Sequence, residues 1–143
     1  MAATQCLCNV AKTDFLRGLH QPTDVYMLAL FNSSATLSKA TTAYTTNTGT
    51  MPGEVTGTGY SQGGRAITGF TVALSGDTGY LDFTGEPAWT GATISGIEAA
   101  LLYNATRSNA AIAVFTFTPT SVSSGSFVAQ FPAAGATALI RIA

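Results

Sequence analysis

At 143 residues the chain has the length of one compact domain and can bury a core without a metal or a disulfide framework. Charged residues make up only 9% of it, against about 25% in an average soluble protein, and the net charge is −1 with cations scattered at Lys12, Arg17, Lys39, Arg65, Arg107 and Arg141. This pattern argues against nucleic acid as a partner, the lack of any apolar run near the roughly 20 residues of a span argues against a membrane, and so thinly charged a surface suits packing against other proteins.

Residues 1–9 read as an N-terminal arm ahead of a single domain over residues 10–143. The first residues lack a charged start followed by an apolar stretch, so the sequence predicts no export signal and synthesis in a cytoplasm. The arm carries Cys6 and Cys8 around Leu7, a spacing awkward for an intramolecular disulfide. Two thiols with His20 as the sole histidine make an incomplete zinc site, so no metal is expected. That leaves reduced thiols, or contacts between subunits through the arm.

From Val10 to Leu19 the apolar residues Ala11, Phe15 and Leu19 recur at intervals of four, which predicts a short amphipathic helix with Lys12 and Asp14 on its exposed side. Val25 to Phe31 is an apolar run of strand length between turn residues and predicts a central strand. Ala35 to Gly53 is rich in Thr and Ser and reads as a long surface loop with at most a short edge strand around Tyr44. Glu54 to Tyr60 and Ala66 to Leu74 read as a hairpin across Gln62-Gly63-Gly64. Further strands are predicted around Tyr80 to Phe83, Thr93 to Tyr103, Ala110 to Thr118 with a stop at Pro119, Phe127 to Phe131, and Ala138 to Ile142. Ile97 to Tyr103 contains good helix formers, yet Gly91 and Gly96 precede it and no cap is evident, which favours a strand. Short strands about a dozen residues apart, with one short N-terminal helix, predict a mainly β fold: an antiparallel sandwich or barrel of jelly-roll type.

Chemistry is hard to assemble from these residues. His20 is the sole imidazole base for a Ser-His-Asp arrangement, and its place in Gly18-Leu19-His20-Gln21-Pro22 predicts that it satisfies the last helical carbonyls. Asp77, Asp82, Glu86 and Glu98 could supply the carboxylate pair of a glycosidase, but Asp77 has a turn to explain it, and Asp82 and Glu86 read as solvated or ion-paired. The Gly57-Thr58-Gly59 and Gly63-Gly64 steps lack the lysine of a phosphate loop and join predicted strands, so they read as turn glycines. No catalytic residue and no cofactor is therefore expected. Tyr60, Trp89 and Tyr103 could form a sugar-binding aromatic face, with core packing the alternative for Trp89.

Thr41-Thr42-Ala43-Tyr44-Thr45-Thr46, then Gly53-Glu54-Val55-Thr56-Gly57-Thr58-Gly59-Tyr60-Ser61 and Gly63-Gly64, resemble a group of small virion proteins of tailed bacteriophages. The resemblance continues in order through Ala100-Leu101-Leu102-Tyr103-Asn104, Ser108-Asn109, Ala111 to Phe117, Gly125-Ser126-Phe127, Phe131-Pro132 and the closing Ile140-Arg141-Ile142-Ala143. It covers roughly residues 10–143 and departs at Cys6-Leu7-Cys8 and from Thr118 to Ser124, where similar chains often carry an acidic residue and a lysine. The resemblance implies a structural component, described for such chains as capsid decoration or cement protein or as fibre-associated protein, with no catalytic residues. The expectation is a homotrimer on the outside of the head that contacts the major capsid protein. Its expected contact elements are the arm, with Cys6 and Cys8, and the 35–53 loop, with Thr41, Tyr44 and Met51, both without structure in isolation. The alternative is a tail or head-fibre component that binds host glycan through Tyr60 or Trp89.

Overall fold

The computed structural model describes residues 3–45, 51–132, 135 and 138–142. Among these described residues eight strands and one helix follow in the order β1 (Cys6–Leu7), α1 (Asn9–Leu16), β2 (Tyr26–Phe31), β3 (Gly57–Thr58), β4 (Arg65–Ser75), β5 (Thr78–Gly85), β6 (Ala88–Asn104), β7 (Ala110–Val128) and β8 (Ile140–Ile142). Every pairing is antiparallel, and the sheet runs β1-β7-β6-β2-β4-β5-β8 with β3 added against β6. The sheet curls until it nearly closes into a barrel, its outer strands β1 and β8 lying across a cleft floored by Ala113 to Phe115 of β7. Among the described residues no helix is long and apolar enough to cross a membrane.

Continuous apolar runs end up where both faces are covered. β2 is buried at every position but Met27, which is why Tyr26 to Phe31 shows no polar alternation. Its neighbour β6 buries Ala99 to Asn104 without a break, so the IEAALLY stretch is strand. Leu28, Leu30, Ile94, Ile97, Leu101, Ile112 and Val114 are sealed in this core, each contributing about 1.5–3 kcal/mol relative to exposure. Tyr26 stacks on Phe70 at 5.1 Å and meets Phe83 edge-on at 5.2 Å, extending the core toward β4 and β5.

Several elements differ from the sequence expectation. The helix is Asn9–Leu16, and Asp14 is buried rather than on its exposed side. The expected hairpin between Glu54–Tyr60 and Ala66–Leu74 does not form: Gly57–Thr58 pairs with Thr93–Ile94 of β6, while β4 pairs with β2 and β5. β4 accompanies β2 only as far as Leu28. Beyond that point the 53–55 segment takes over the free edge, with Asn32 N–H donating to Gly53 O at 2.8 Å and Val55 N–H to Leu30 O at 3.0 Å. Gly64 makes the crossing possible, because its φ is +82° and a Cβ there would lie 1.8 Å from the Leu28 carbonyl oxygen.

β7 continues through Pro119 to Val128 and takes in the first two residues of the separate strand expected at Phe127–Phe131, of which the rest, Ala129 to Phe131, is not strand. β1 covers β7 only at Ala113 and Val114, which leaves that edge open at Pro119, and toward β6 Pro119 falls within the register shift between Thr116 and Thr120; an open edge and a bulge both tolerate a proline. Gly91 and Gly96, both at positive φ, fall at register shifts in β6 and let this strand of 17 residues coil around the barrel. The described part of the arm is not a free tail: Cys6 pairs with Val114, Leu7 with Ala113, and Thr4 N–H donates to Leu37 O at 3.0 Å. The 35–53 loop is likewise built in over its described part, with Ala35, Leu37 and Tyr44 buried and Ala43 bridged to Ala110. Its residues 46–50 lie outside the described set.

Candidate functional site

The residues expected to make contacts are mostly committed to the fold. Cys8 is buried ahead of α1 with its thiol pushed up to about 12 by burial, whereas Cys6 is half-buried in β1 and raised for the same reason. Thr41 closes a turn, accepting from Ser38 N–H at 3.0 Å, and Met51 packs half-buried against the core. Tyr44 is buried, stacked on Tyr103 at 4.7 Å. Trp89 is 2% exposed and Tyr60 lies over it at 6.1 Å, so the ring that sugar binding would need is core. The structure thus brings Tyr44 and Tyr60 together and leaves Cys6, Cys8 and Thr41 elsewhere.

What gathers the tyrosines is Glu54, a residue that sequence reasoning passed over because a lone carboxylate beside a glycine reads as solvated. Its carboxylate is buried and accepts from the Tyr44 hydroxyl at 2.7 Å, the Tyr60 hydroxyl at 2.8 Å and Gly63 N–H at 2.7 Å. The Tyr60 oxygen also accepts from Leu30 N–H at 3.0 Å, and Tyr103 donates to Gly63 O at 2.7 Å. Burial raises the Tyr44 and Tyr60 hydroxyls far above the ordinary phenol, and Tyr103 rises to about 12 by burial with the Glu54 charge added. All three stay neutral donors, and the cluster works as a buried clamp on the 51–64 segment.

A second cluster sits under α1. Asn104, fully buried, accepts through Oδ1 from Thr106 N–H at 3.0 Å and Arg107 N–H at 3.2 Å, which turns its amide nitrogen toward Asp24 Oδ2 at 2.9 Å and His20 Nδ1 at 3.0 Å. Nδ1 is therefore the acceptor and the imidazole proton sits on Nε2. Nε2 lies 4.0 Å from Asp14 Oδ2 and is buried without a hydrogen-bond partner among the described residues. Burial lowers the His20 pKa below 6.5, outweighing the opposing pull of Asp14 and Asp24. For Asp24, burial works upward, but hydrogen bonds from Arg107 at 3.0 Å, from Asn104 and from Gln21 bring it below the ordinary carboxyl. His20 is thus folded back into the core against Asn104 and Phe15, not spent on helical carbonyls.

The expected carboxylate candidates do not add a centre. Asp77 is exposed at the β4–β5 turn, Glu86 accepts from Phe131 N–H at 3.2 Å, and Asp82 is buried rather than solvated, raised by desolvation and accepting from Phe83 N–H at 2.8 Å. Among the described residues no group of three or more His, Cys, Asp or Glu side chains converges as a metal site.

The accessible feature is apolar. A groove of about 490 Å³ runs between α1 and the end of the sheet formed by β4, β5 and β8. Phe15 and Leu16 line one side, Phe70, Val72 and Leu81 the floor, and Ile140 and Ile142 the other side, with Lys12 and Arg141 as its cations and His20 behind it. The register explains the floor: Val72 pairs with Leu81 and Leu81 with Ile140, so their side chains share one face. That face outruns the core, leaving Leu16 85%, Val72 65% and Ile142 71% exposed. No family model, curated protein or solved structure matches this chain. The groove and the two sealed clusters therefore carry the functional reading with the sequence pattern alone beside them.

Proposed function

We propose that this chain is a non-enzymatic structural protein of a tailed-bacteriophage particle, a cement protein that acts as a homotrimer on the outside of the head and stabilises the shell by contacting the major capsid protein. The observation that carries this reading is the exposed apolar groove on a chain with 9% charged residues. A soluble chain keeps such a surface when a partner covers it. The buried Glu54 and His20 groups, which elsewhere would be candidates for catalysis, are spent on fastening segments of the chain itself. The ordered succession of residues from Thr41 to Ala143 that resembles small virion proteins points the same way. Attachment to an assembled shell would stabilise it by mass action.

The fibre reading gains little support, because Trp89 and Tyr103 are buried and the Tyr60 hydroxyl is tied to Glu54 and Leu30. The test is the copy number in purified particles, measured by quantitative mass spectrometry against the major shell protein. A ratio near one or a simple fraction of it is expected; a few to tens of copies per particle moves the protein to the tail or a fibre, and absence removes the virion reading.

A further inference from the structure

Leu16, Val72 and Ile142 come from α1, β4 and β8, and they meet at one mouth only because the sheet curls back toward the helix. Their exposure is not the scattered kind that any surface shows, since all line a single concavity continuous with the core through Phe70 and Leu81. The groove is also charged in one sense. Lys12 on α1 and Arg141 on β8 line it, and among the described residues no carboxylate does. Lys12 Nζ donates to the neutral Asn9 Oδ1 at 3.1 Å, which leaves its charge in place. A wall of aliphatic and aromatic side chains beside the Lys12 ammonium selects an occupant that is apolar along its length and acidic at its flank. Because the rim residues stand well out of the surface, an occupant confined to the groove floor would leave them wet, so a segment of another protein fits better than a small amphiphile.

We infer that this groove is the site at which the chain docks a partner segment carrying apolar side chains flanked by carboxylates, supplied by the shell protein. The inference rests on the cement reading and assigns its contact to α1 and the β4–β5–β8 end, away from the 35–53 loop. Leu16 and Val72 act as the apolar anchors and Lys12 as the charge that sets register.

Photocrosslinking in assembled particles tests this. Val72 is replaced by p-benzoylphenylalanine, with Ser123 on the exposed part of β7 replaced in the same way as a reference site, and the crosslinked peptides are sequenced by mass spectrometry. A crosslink from position 72 to a shell-protein segment with carboxylates beside apolar residues is the expected result. A crosslink from 72 to a second copy of this chain, or from 123 alone, overturns the groove assignment while the virion reading stands; absence of the chain from particles overturns both. Leu16→Glu combined with Val72→Glu is expected to lower occupancy on shells by roughly tenfold or more with the melting temperature unchanged. Lys12→Glu should lower it and Lys12→Arg should not; equal occupancy for all these variants also overturns the assignment.

Discussion

Glu54 and His20 are both buried beneath segments that lie outside the long strands, yet they hold those segments differently. Glu54 clamps the 51–64 segment with three donors on its carboxylate at 2.7–2.8 Å. His20 fastens α1 through one bond from Asn104, while its other nitrogen stands 4.0 Å from Asp14 without a partner. A satisfied buried carboxylate is rigid and costly to disturb, whereas an imidazole with one orphaned N–H is a weak point already present in the native state. The looser fastening is the one beside the groove, since His20, Phe15 and Leu16 all line it. The comparison predicts that the loop side unfolds only with the whole barrel and that the helix side is the first to respond to conditions.

The largest effect should come from Glu54→Ala. It strands two tyrosine hydroxyls and the Gly63 N–H in the core, and a loss of about 4 kcal/mol is expected from charge-assisted bonds of this kind, read as the shift of the urea midpoint. Asn104→Ala should follow at about 3 kcal/mol, because Thr106 N–H and His20 Nδ1 lose their partner while Arg107 N–H and Asp24 each lose one of several bonds. If Asn104→Ala proves the more damaging of the two, the ranking of the clamps is wrong.

Within the loop clamp the tyrosines are unequal. Tyr60 donates to Glu54 and accepts from the backbone N–H of Leu30 in the core, which a phenylalanine would leave unsatisfied, whereas the second bond at the Tyr44 hydroxyl comes from the exposed side chain of Gln62, which water can satisfy instead. Tyr60→Phe should therefore cost about 2 kcal/mol and Tyr44→Phe about 1 kcal/mol. Combining Glu54→Ala with Tyr60→Phe should cost less than the sum, since both remove the same bond.

Much of the barrel could be read from the sequence, because β2 and the end of β6 carry their burial in apolar runs. What escaped reading depends on partners distant in sequence. Two-residue β3 has no pattern of its own, and its place against Thr93 and Ile94 follows from the close approach that Gly57 and Gly59 allow, which the same glycines in a hairpin turn would not have distinguished. Pro119 read as a stop because nothing local shows that β7 has an open edge there. The clusters were hidden for a related reason: Glu54 lies in a polar segment and Asp14 on a helix, both places where a charge is ordinarily solvated, and their burial is set by Tyr60, Gly63 and His20 arriving from other elements. The groove was invisible because Leu16, Val72 and Ile142 each look like ordinary members of amphipathic elements, and only the curl of the sheet places them together.

The gentlest way to sharpen the comparison is pH. His20 is held neutral in the fold, with burial placing its pKa below the unfolded value of 6.5. The unfolded chain then binds a proton at a pH where the native chain does not, so the unfolding free energy rises with pH in that interval. The stability that neutral His20 supplies is fully present above pH 6.5 and is lost as pH falls from there toward the folded-state pKa. Protonating Nδ1 would also set it against the Asn104 amide donor, whose Oδ1 cannot turn inward without releasing Thr106 and Arg107. Asp82, raised by burial, gives a slope of the opposite sign at lower pH, so the His20 contribution is best isolated as a difference between variants. His20→Gln keeps an acceptor for Asn104 without a titrating group and should flatten the decline that begins as pH falls below 6.5. Hydrogen exchange on α1 amides should accelerate across the same interval in the native chain and not in His20→Gln, while amides of the 51–64 segment stay protected in both. Equal acceleration on the two sides would show that the clamps open together and that the orphaned Nε2 does not single out the helix.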